Sequence, residues 1–507
     1  MTENLYEYLR EGFPADLQKP ALRHPDGMAT SYADVMARSS GVADALLSLR
    51  VAPGERVAVQ AEKSEDFLML YLGCLRAGTP FVPINPTCTA TEVGYYVRDS
   101  GAELFLCEPE RLGDLEETAR GAGAKHVHTF ALDGKSGSFQ KLAARVGAEA
   151  GTRSVTVTGE DPLAAILYTS GTTGAPKGAM LTHFNLIANT HALHRAWGWR
   201  QNDVLLHALP LFHVHGLFVA ATAALGIGAT MIFLPRFDPD LVVRHLPSVS
   251  LFMGVPTMYH RLAHDERITR DLCRSMRLFV SGSAPLSVAD FAAFQERTGH
   301  TILERYGMTE TNMNISNPLD GERKPGMIGF PMPDVEVRLV DPEAKIDVAE
   351  GEVGEIWVRG PNVFAGYFQA PEKTEECFVD GWFRTGDLGR RDAEGYYEIV
   401  GRAKDLIITG GLNVYPAEIE QTLAGIEGVE DCAVIGLPHA DWGEQVTAIV
   451  IRAAGAGSLT ADELMAAARE RLAPYKCPRR IEFVDALPRN AMGKVEKARL
   501  RQTYSAS

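Results

Sequence analysis

The feature that most limits the fold is a repeated alternation of short apolar runs with longer amphipathic stretches in the first part of the chain. Strands are predicted at residues 56–60, 80–84 and 103–107, and helices at 66–77 and 91–99 between them. Such alternation is typical of βαβ units, which build largely parallel sheets covered by helices. Further apolar runs continue the same pattern at residues 165–168, 203–208, 230–234 and 278–281. The chain is therefore predicted to have an α/β fold.

The pattern changes in the last third of the chain. Short strands at residues 335–340 and 355–359 lie between turns with Gly and Pro, and they predict an antiparallel or β-barrel-like subdomain. A chain of 507 residues also exceeds the length that one hydrophobic core serves. We therefore predict a large N-terminal domain over residues 1–402 and a small, mobile α+β domain over residues 403–507.

The charge of the chain restricts its partners. It has 65 acidic and 50 basic residues and a formal net charge of -15. Such a chain is a poor candidate for binding nucleic acid or an anionic membrane, so we expect neither partner. Residues 217–234 carry no charge and reach the length of a membrane helix, but Gly226 and Gly228 divide them. We predict a buried helix at residues 217–225, a turn, and a strand at residues 230–234.

The cysteines indicate a reducing compartment. Seven of them are scattered along the chain and none forms a Cys-x-x-Cys pair, which fits neither a disulfide framework nor a zinc site. The first residues lack the basic and apolar regions of a signal peptide. These features predict a cytoplasmic protein and say nothing of its oligomeric state.

The strongest local motif is YTSGTTGAPKG at residues 168–178, directly after a predicted strand. Glycines permit backbone turns in which successive N–H groups point at one anion, and the hydroxyl groups and Lys177 add further donors. The motif lacks the Walker A spacing, which argues against a P-loop NTPase. Taken alone it could also be a plain surface turn.

Four more motifs follow in order: YGMTE at residues 306–310, WFRTGD at 382–387, GRAKD at 401–405 and PRNAMGK at 488–494. Together the five resemble the adenylate-forming superfamily, which contains acyl-CoA synthetases, aryl-CoA ligases, luciferases and peptide-synthetase adenylation domains. The resemblance covers nearly the whole chain. It implies a two-domain fold and an enzyme that activates a carboxylic acid with ATP and Mg²⁺ and transfers the acyl group to coenzyme A.

The resemblance also assigns roles to the ATP-binding residues. The phosphate loop would hold the β- and γ-phosphates through Thr169, Ser170, Gly171, Thr172, Thr173, Gly174 and Lys177. Thr309 would contact the α-phosphate and Glu310 would coordinate Mg²⁺, which neutralises the leaving pyrophosphate. Asp387 would accept hydrogen bonds from both ribose hydroxyls, and Arg402 would lie on the ribose-phosphate side. Lys494 would reach between the substrate carboxylate and the α-phosphate, where negative charge accumulates in the transition state.

A further set of residues would serve the coenzyme A step. By resemblance, Lys404 is the hinge about which the C-terminal domain rotates after adenylation. Gly410 and Gly411 would then close a narrow tunnel for pantetheine, and Arg236 would contact the nucleotide of coenzyme A. An ordinary surface position for Arg236 is an equally good interpretation.

The acyl pocket should form around the segments HVHG at residues 213–216, SGSA at 281–284 and ERY at 304–306. By resemblance, His213 would gate this pocket, and Ser283, Glu304, Arg305 and Tyr306 would line the acyl and nucleotide sites. His213 and His215 could suggest a metal site, but the sequence offers no third ligand nearby.

Arg305 is the informative residue for the substrate. Aryl- and fatty-acyl-activating relatives usually have a small residue there, and a buried guanidinium needs an anionic partner. A second carboxylate on the substrate would supply it, held bidentately, with Ser283 as a further donor. The segments 213–217 and 303–314 also resemble malonyl-CoA synthetases, in which Val214 and Met313 would limit the substituents on C2 of malonate.

The sequence therefore predicts a malonate–CoA ligase that also accepts methylmalonate, both made into thioesters through an acyl-adenylate. One alternative is a short- or medium-chain monocarboxylate–CoA ligase, in which Arg305 pairs with Glu304 or another protein acid. A second is a stand-alone adenylation module that loads a carrier protein. A degenerate binding protein is disfavoured, because Lys494, Glu310, Asp387 and Arg402 are all present.

Overall fold

A computed structural model describes residues 4–150, 155–156, 162–169, 176–410, 412–439, 442–453, 455, 459–490 and 494–505. The strands, in chain order, are β1 Pro20–Arg23, β2 Ala29–Ser31, β3 Arg56–Gln60, β4 Phe81–Ile84, β5 Ala102–Cys107, β6 His126–Thr129, β7 Leu163–Thr169, β8 Lys177–Thr182, β9 Val204–His207, β10 Thr230–Phe233, β11 Leu251–Gly254, β12 Leu278–Ser281, β13 Leu303–Tyr306, β14 Ile315–Ser316, β15 Met327–Pro331, β16 Glu336–Val340, β17 Gly354–Arg359, β18 Gly366–Tyr367, β19 Phe378–Val379, β20 Trp382–Arg391, β21 Tyr397–Arg402, β22 Ile407–Thr409, β23 Leu412–Val414, β24 Val429–His439, β25 Gly443–Arg452 and β26 Arg480–Phe483.

The α-helices are α1 Leu5–Glu11, α2 Tyr32–Ser48, α3 Glu65–Ala77, α4 Ala90–Ser100, α5 Leu112–Gly121, α6 Ser138–Ala150, α7 His183–Trp197, α8 Thr222–Gly226, α9 Pro239–His245, α10 Pro256–Ala263, α11 Val288–Thr298, α12 Pro371–Glu375, α13 Pro416–Ala424, α14 Ala461–Arg469 and α15 Lys497–Ser505. A π-helical segment lies at His215–Ala221, and short 3-10 turns lie at Pro109–Arg111, Leu246–Ser248 and Ala403–Asp405. Local signals place many of these helices; for example, Ser64 caps the start of α3, and Gly78 ends it with φ of 69°.

The first sheet has seven strands in the order β18-β8-β7-β4-β3-β5-β6. Strands β7, β4, β3, β5 and β6 run parallel, as the alternating pattern predicts, whereas β8 pairs antiparallel with β7. The hairpin of β7 and β8 places the predicted phosphate loop at the carboxyl end of a parallel strand. Ligands of open α/β sheets bind at this end of the strands.

The second sheet has fourteen strands and joins the parallel and antiparallel parts of the chain. Strands β1, β10, β9, β11, β12 and β13 are parallel, and the strands from β14 to β16 along the sheet are antiparallel. The predicted antiparallel subdomain is thus continuous with the parallel sheet. The change of direction falls at β13, the strand that carries Arg305.

The two sheets share one hydrophobic core. Its fully buried members include Phe67 and Tyr71 on α3 and Trp197 on α7. The rings of Tyr71 and Phe218 lie 5.9 Å apart between the sheets. The confirmed α/β fold therefore consists of two sheets packed through a common layer of helices, which fixes the edges where the site residues emerge.

A third sheet lies wholly after residue 406 and has five strands, β23-β22-β25-β24 with β26 paired to β25. Its core is separate and includes Ile419, Leu423, Val446 and Leu464. This small α+β unit agrees with the predicted fold class.

The uncharged segment at residues 217–234 divides as predicted into a helix, a turn and the strand β10, although the helix starts in the π form. The Thr222 hydroxyl donates to the carbonyl of Leu217 at 2.8 Å, five residues earlier, which accommodates the wider turn. Within the described parts of the chain, no helix is long and apolar enough to cross a membrane.

Candidate active site

The phosphate loop connects two paired strands. Thr169 at the end of β7 lies opposite Lys177 at the start of β8. The predicted residues Ser170, Gly171, Thr172, Thr173 and Gly174 lie between them, outside the described residues. The Thr169 hydroxyl donates to Oε1 of Glu310 at 3.4 Å, and Nζ of Lys177 lies 4.7 Å from the ring centre of Tyr367. The ends of the loop therefore meet the predicted Mg²⁺ ligand.

Glu310 is buried, and its Oε1 also accepts a hydrogen bond from the Tyr367 hydroxyl at 2.9 Å. Burial raises the pKa of this carboxyl group. A cation beside it would offset that cost, and a carboxylate among hydroxyl oxygens is a donor set that suits Mg²⁺. The residues present thus fit the metal. Thr309, the preceding residue, is half-buried at the same turn.

Asp387 lies at the centre of the nucleotide end. Its Oδ2 accepts a hydrogen bond from the Tyr306 hydroxyl at 2.6 Å, and its Oδ1 forms an ion pair with Nε of Arg402 at 2.8 Å. The pairing of β20 with β21 sets Asp387 directly opposite Arg402. The charge of Asp387 raises the pKa of Arg402. The structure therefore brings three predicted nucleotide-site residues together.

Lys494 approaches the same place from the C-terminal unit. The backbone N–H of Asn490 donates to the carbonyl of Lys494 at 2.9 Å, and the backbone N–H of Lys494 donates to Oδ1 of Asn490 at 3.0 Å. Although the residue is exposed overall, burial of its side chain and then the charge of Arg402 lower the pKa of Lys494 to about 8. The charges of Asp387, Lys404 and Asp405 also act on Lys494. Lys494 thus lies within reach of the charges of the nucleotide end.

Arg305 projects from β13 and is only 5% exposed. Its Nε and Nη2 atoms are buried and have no hydrogen-bond partner. Burial lowers the pKa of Arg305 to about 9, which leaves the guanidinium charged at neutral pH. Within the described chain it forms no ion pair, and the neighbouring Glu304 instead accepts the backbone N–H of Gly326 at 3.2 Å. The pairing of Arg305 with Glu304 or another protein acid finds no support among these residues.

Glu304 lies on the same strand and is also buried, and burial raises its pKa to about 7. Through Gly326 it connects β13 to the residue that precedes β15. In this structure Glu304 holds backbone in place, and its side chain is not part of the Arg305 cluster.

More unpaired polar atoms surround the guanidinium. Nδ1 of His213, Nε2 of His215 and Oγ of Ser281 are buried without partners. The Ser283 hydroxyl lies 3.2 Å from Nδ1 of His215. Burial and then the Arg305 charge lower the pKa of both imidazoles, that of His213 to about 4. The neighbouring guanidinium repels cations, which opposes a metal ion between the histidines. We call Arg305, His213, His215, Ser281 and Ser283 the acyl-pocket cluster.

The two residues of the predicted apolar wall are both buried. Val214 and Met313 are each 3% exposed and belong to the main core. The methyl group of Met313 packs against Gly307, where any β-carbon would overlap it. The wall is therefore close-packed, and volume added to the ligand there must displace protein atoms.

The predicted coenzyme A and hinge residues lie away from this cluster. Arg236 is exposed, and its charge acts on Glu62. Gly410 is exposed and donates its N–H to the carbonyl of Trp442 at 2.8 Å, whereas Gly411 lies outside the described residues. Lys404 is exposed in the 3-10 turn Ala403–Asp405. In this domain arrangement the C-terminal unit presents Lys494, not Gly410, to the nucleotide end.

Sequence reasoning missed three contributors. His215 lies in a predicted acyl-pocket segment, but nothing in the sequence indicates that its ring holds Ser283. Tyr367 links Lys177 to Glu310, and Gly282 packs under the guanidinium of Arg305. Gly282 lies in the predicted pocket segment SGSA. No motif indicates a role for Tyr367, because its partners are distant in sequence.

Comparisons with known proteins agree with this geometry. The sequence profile of the AMP-binding enzyme family matches residues 13–368, and that of the AMP-binding enzyme C-terminal domain matches residues 418–494. A feruloyl-CoA synthase of Amycolatopsis is 37% identical, with 96% of each chain covered. A mitochondrial malonate–CoA ligase of Xenopus laevis is 36% identical, with 93% of this chain and 87% of that protein covered.

Among solved structures, ATP-bound MatB from Rhodopseudomonas palustris is 46% identical over 100% of this chain and 99% of that one, with a TM-score of 0.96. The apo form of MatB gives a TM-score of 0.84 at the same identity and coverage. The structure of this chain is thus more similar to the ATP-bound form than to the apo form. The chain belongs to the AMP-binding enzyme family and is an AMP-forming acid–CoA ligase that uses ATP, Mg²⁺ and coenzyme A.

Proposed function

We propose that the acid activated by this ligase is malonate, and that methylmalonate is a second substrate. The observation that supports this is the unpaired, buried guanidinium of Arg305. A charged group left unpaired in a protein interior costs several kcal/mol. A ligand that brings a carboxylate to the acyl-pocket cluster removes that cost, whereas an apolar acyl chain leaves it in place.

A dicarboxylate suits the pocket for a second reason. The guanidinium can bind one carboxylate through two parallel N–H groups, and its Nε and Nη2 atoms are both free. Nδ1 of His215 lies beside the Ser283 hydroxyl, and these two side chains can supply further hydrogen bonds to the same carboxylate. The other carboxylate of malonate is then directed towards the nucleotide end, where Lys494 and Thr309 lie.

In the first step, an oxygen of that carboxylate attacks the α-phosphorus of ATP, the bond to the β-phosphate oxygen breaks, and pyrophosphate leaves. Lys494 lies between the two reacting anions and stabilises the charge that accumulates there. Asp387 holds the ribose hydroxyls, and Arg402 fixes Asp387 through their ion pair. Glu310 would hold Mg²⁺, and the ion would supply positive charge for the departing phosphates.

In the second step, the thiol of coenzyme A attacks the carbonyl carbon of malonyl-AMP, loses its proton, and AMP leaves as malonyl-CoA forms. We propose that the domains are residues 1–402 and 403–507 and that the second rotates at Lys404 between the steps. The rotation withdraws Lys494 and brings Gly410 and Gly411 to the pocket, where Arg236 binds the nucleotide of coenzyme A. The different TM-scores of the ATP-bound and apo forms of MatB support two such arrangements.

The wall formed by Val214 and Met313 limits the substituent on C2 of malonate. An apolar wall distinguishes ligands that differ by one methylene by about 1–3 kcal/mol. Methylmalonate is therefore a weaker but real substrate in this proposal. Larger groups on C2 overlap Met313, which already contacts Gly307 closely.

The main competing function is activation of a monocarboxylate, since a feruloyl-CoA synthase is as similar in sequence as the malonate–CoA ligases are. Arg305 and two buried histidines make the pocket polar where an aromatic ring would need an apolar wall. We also propose a cytoplasmic location, because all seven cysteines are free thiols, as expected in a reducing compartment.

The test is the acid dependence of ATP–pyrophosphate exchange and of thioester formation with free coenzyme A. Malonate should give the highest kcat/KM, followed by methylmalonate, with succinate, acetate, butyrate and 4-coumarate at least about 100-fold lower. Equal activity with butyrate or 4-coumarate would contradict the malonate assignment. Exchange without any coenzyme A thioester would favour a module that loads a carrier protein.

A further inference from the structure

A cluster of metal-ligating side chains lies outside the active site, between helices α10 and α11. His260 belongs to α10 and His264 caps its end, so the two rings are one turn apart, with centres separated by 4.5 Å. Asp290, in the first turn of α11, lies opposite them. Its Oδ1 is 2.9 Å from Nδ1 of His260 and 3.9 Å from Nδ1 of His264.

The hydrogen bonds show which nitrogen of each ring faces the other groups of the cluster. Nδ1 of His260 donates to Asp290, and Nδ1 of His264 donates to the backbone carbonyl of His260 at 2.8 Å. These are also the two nitrogens that face Oδ1 of Asp290, so an ion bound by all three residues would take Nδ1 of each ring in place of the proton there.

The distances suit a small ion after modest side-chain movement. One ligand atom from each of the three residues lies within 4.8 Å of the others. Ligands around a tetrahedral ion such as Zn²⁺ are about 3.3 Å apart, given bonds of about 2.0–2.1 Å. The side chains of His260 and His264 are 55% and 59% exposed, so their rings can rotate without disturbing the core.

We propose that His260, His264 and Asp290 form a binding site for a divalent transition-metal ion of the nickel, cobalt or zinc class, separate from the Mg²⁺ site of the nucleotide. Two imidazoles and one carboxylate favour such ions over Mg²⁺, which prefers oxygen ligands. The exposed position leaves the remaining coordination positions to water.

The surrounding charges favour a cation. The charges of Asp290 and, on β24 of the C-terminal unit, of Glu430 and Asp431 all act on His260. Two guanidinium groups also lie in this region: Arg297, whose Nε donates to the carbonyl of Ala263 at 2.9 Å, and Arg489, which pairs with Asp431. The carboxylates of Asp290 and Glu430 therefore remain to attract a cation to the two rings.

The test is a calorimetric titration of the full-length, metal-free protein with Ni²⁺, with Mg²⁺ present in excess throughout. Ni²⁺ is a suitable probe because it binds imidazole well. The unchanged protein should bind one ion that is lost, or weakened at least about tenfold, in each of His260→Ala, His264→Ala and Asp290→Asn. His191→Ala, which removes an exposed histidine from α7, is the matched control and should leave this binding unchanged.

Far-UV circular dichroism and the Tm should match the unchanged protein in all four variants, since the replaced side chains lie outside the core. Co²⁺ in place of Ni²⁺ should give visible absorption bands that disappear in His264→Ala. Equal Ni²⁺ affinity in the unchanged protein and His264→Ala would overturn the proposal, as would a loss of equal size in His191→Ala.

Discussion

The guanidinium of Arg305 packs directly on the α-carbon of Gly282, where a β-carbon on residue 282 would overlap three of its atoms. Gly282 follows β12, which is the parallel neighbour of β13, the strand of Arg305. The absent side chain at residue 282 therefore makes the space in which the guanidinium lies. Gly282, directly after β12, and Arg305, on the adjacent strand β13, thus fix the position of the only charge that the acyl-pocket cluster carries at neutral pH.

This contact predicts the effect of Gly282→Ala. The new methyl group should displace the end of a flexible side chain, so the free energy of unfolding should change by less than about 1 kcal/mol. Malonate should bind at least about tenfold more weakly, because the guanidinium no longer faces it. Steady-state kinetics would measure this change as a higher KM for malonate, with KM for ATP unchanged. An unaltered KM for malonate would show that the position of Arg305 is not critical.

Replacing Arg305 by an uncharged residue should raise the stability of the protein and lower its activity with malonate. In Arg305→Met an apolar chain of similar length replaces a buried charge without a partner. We expect the ligand-free protein to become more stable by about 1–3 kcal/mol, measured by urea unfolding. Malonate should raise the Tm of the unchanged protein but not that of the variant. A destabilised variant would indicate that Arg305 supports the fold.

Lys494→Ala should separate the two half-reactions. Adenylation, followed by ATP–pyrophosphate exchange, should fall by about 10²–10³-fold, since a cation between the reacting anions is lost. Thioester formation from preformed malonyl-AMP should stay within about threefold, because Lys494 then lies away from the pocket. Lys497→Ala, which removes a nearby lysine paired with Glu420, is the matched control. Equal losses in both half-reactions would argue against a rotating domain.

The lowered pKa of Lys494 predicts a pH dependence. With a pKa of about 8, the side chain is a cation at lower pH and becomes neutral as the pH rises above that value. The kcat/KM of adenylation for ATP, which reports the free enzyme, should therefore fall by about tenfold per pH unit above pH 8. Bound ATP stabilises the cation, so kcat should fall only at higher pH. A flat kcat/KM up to pH 10 would contradict this role for Lys494.

Much of the fold followed from local pattern. The strands of the first sheet and the compact C-terminal unit have strong signals of length, alternation and capping. The strand β8 was missed because its first residues, Lys177 and Gly178, continue the composition of the loop. The π-helical form of His215–Ala221 was also missed, since it depends on one hydroxyl of Thr222 reaching Leu217.

In the candidate site, only the residues that belong to sequence motifs could be predicted. Asp387, Arg402 and Glu310 could be named from sequence, and the structure places each beside a suitable partner. That Arg305 lacks a partner could not be known from sequence, since a distant acid would have been enough to neutralise it. The parts played by Gly282 and Tyr367 also arise only when separate strands come together.

The most direct measurement is the ratio of kcat/KM for malonate to that for butyrate, in the unchanged protein and in Arg305→Met. The two acids have similar lengths but differ in the carboxylate that should meet the guanidinium. We predict a ratio above about 100 in the unchanged protein and below about 1 in the variant. The same ratio in both proteins would contradict the claim that Arg305 selects a dicarboxylate.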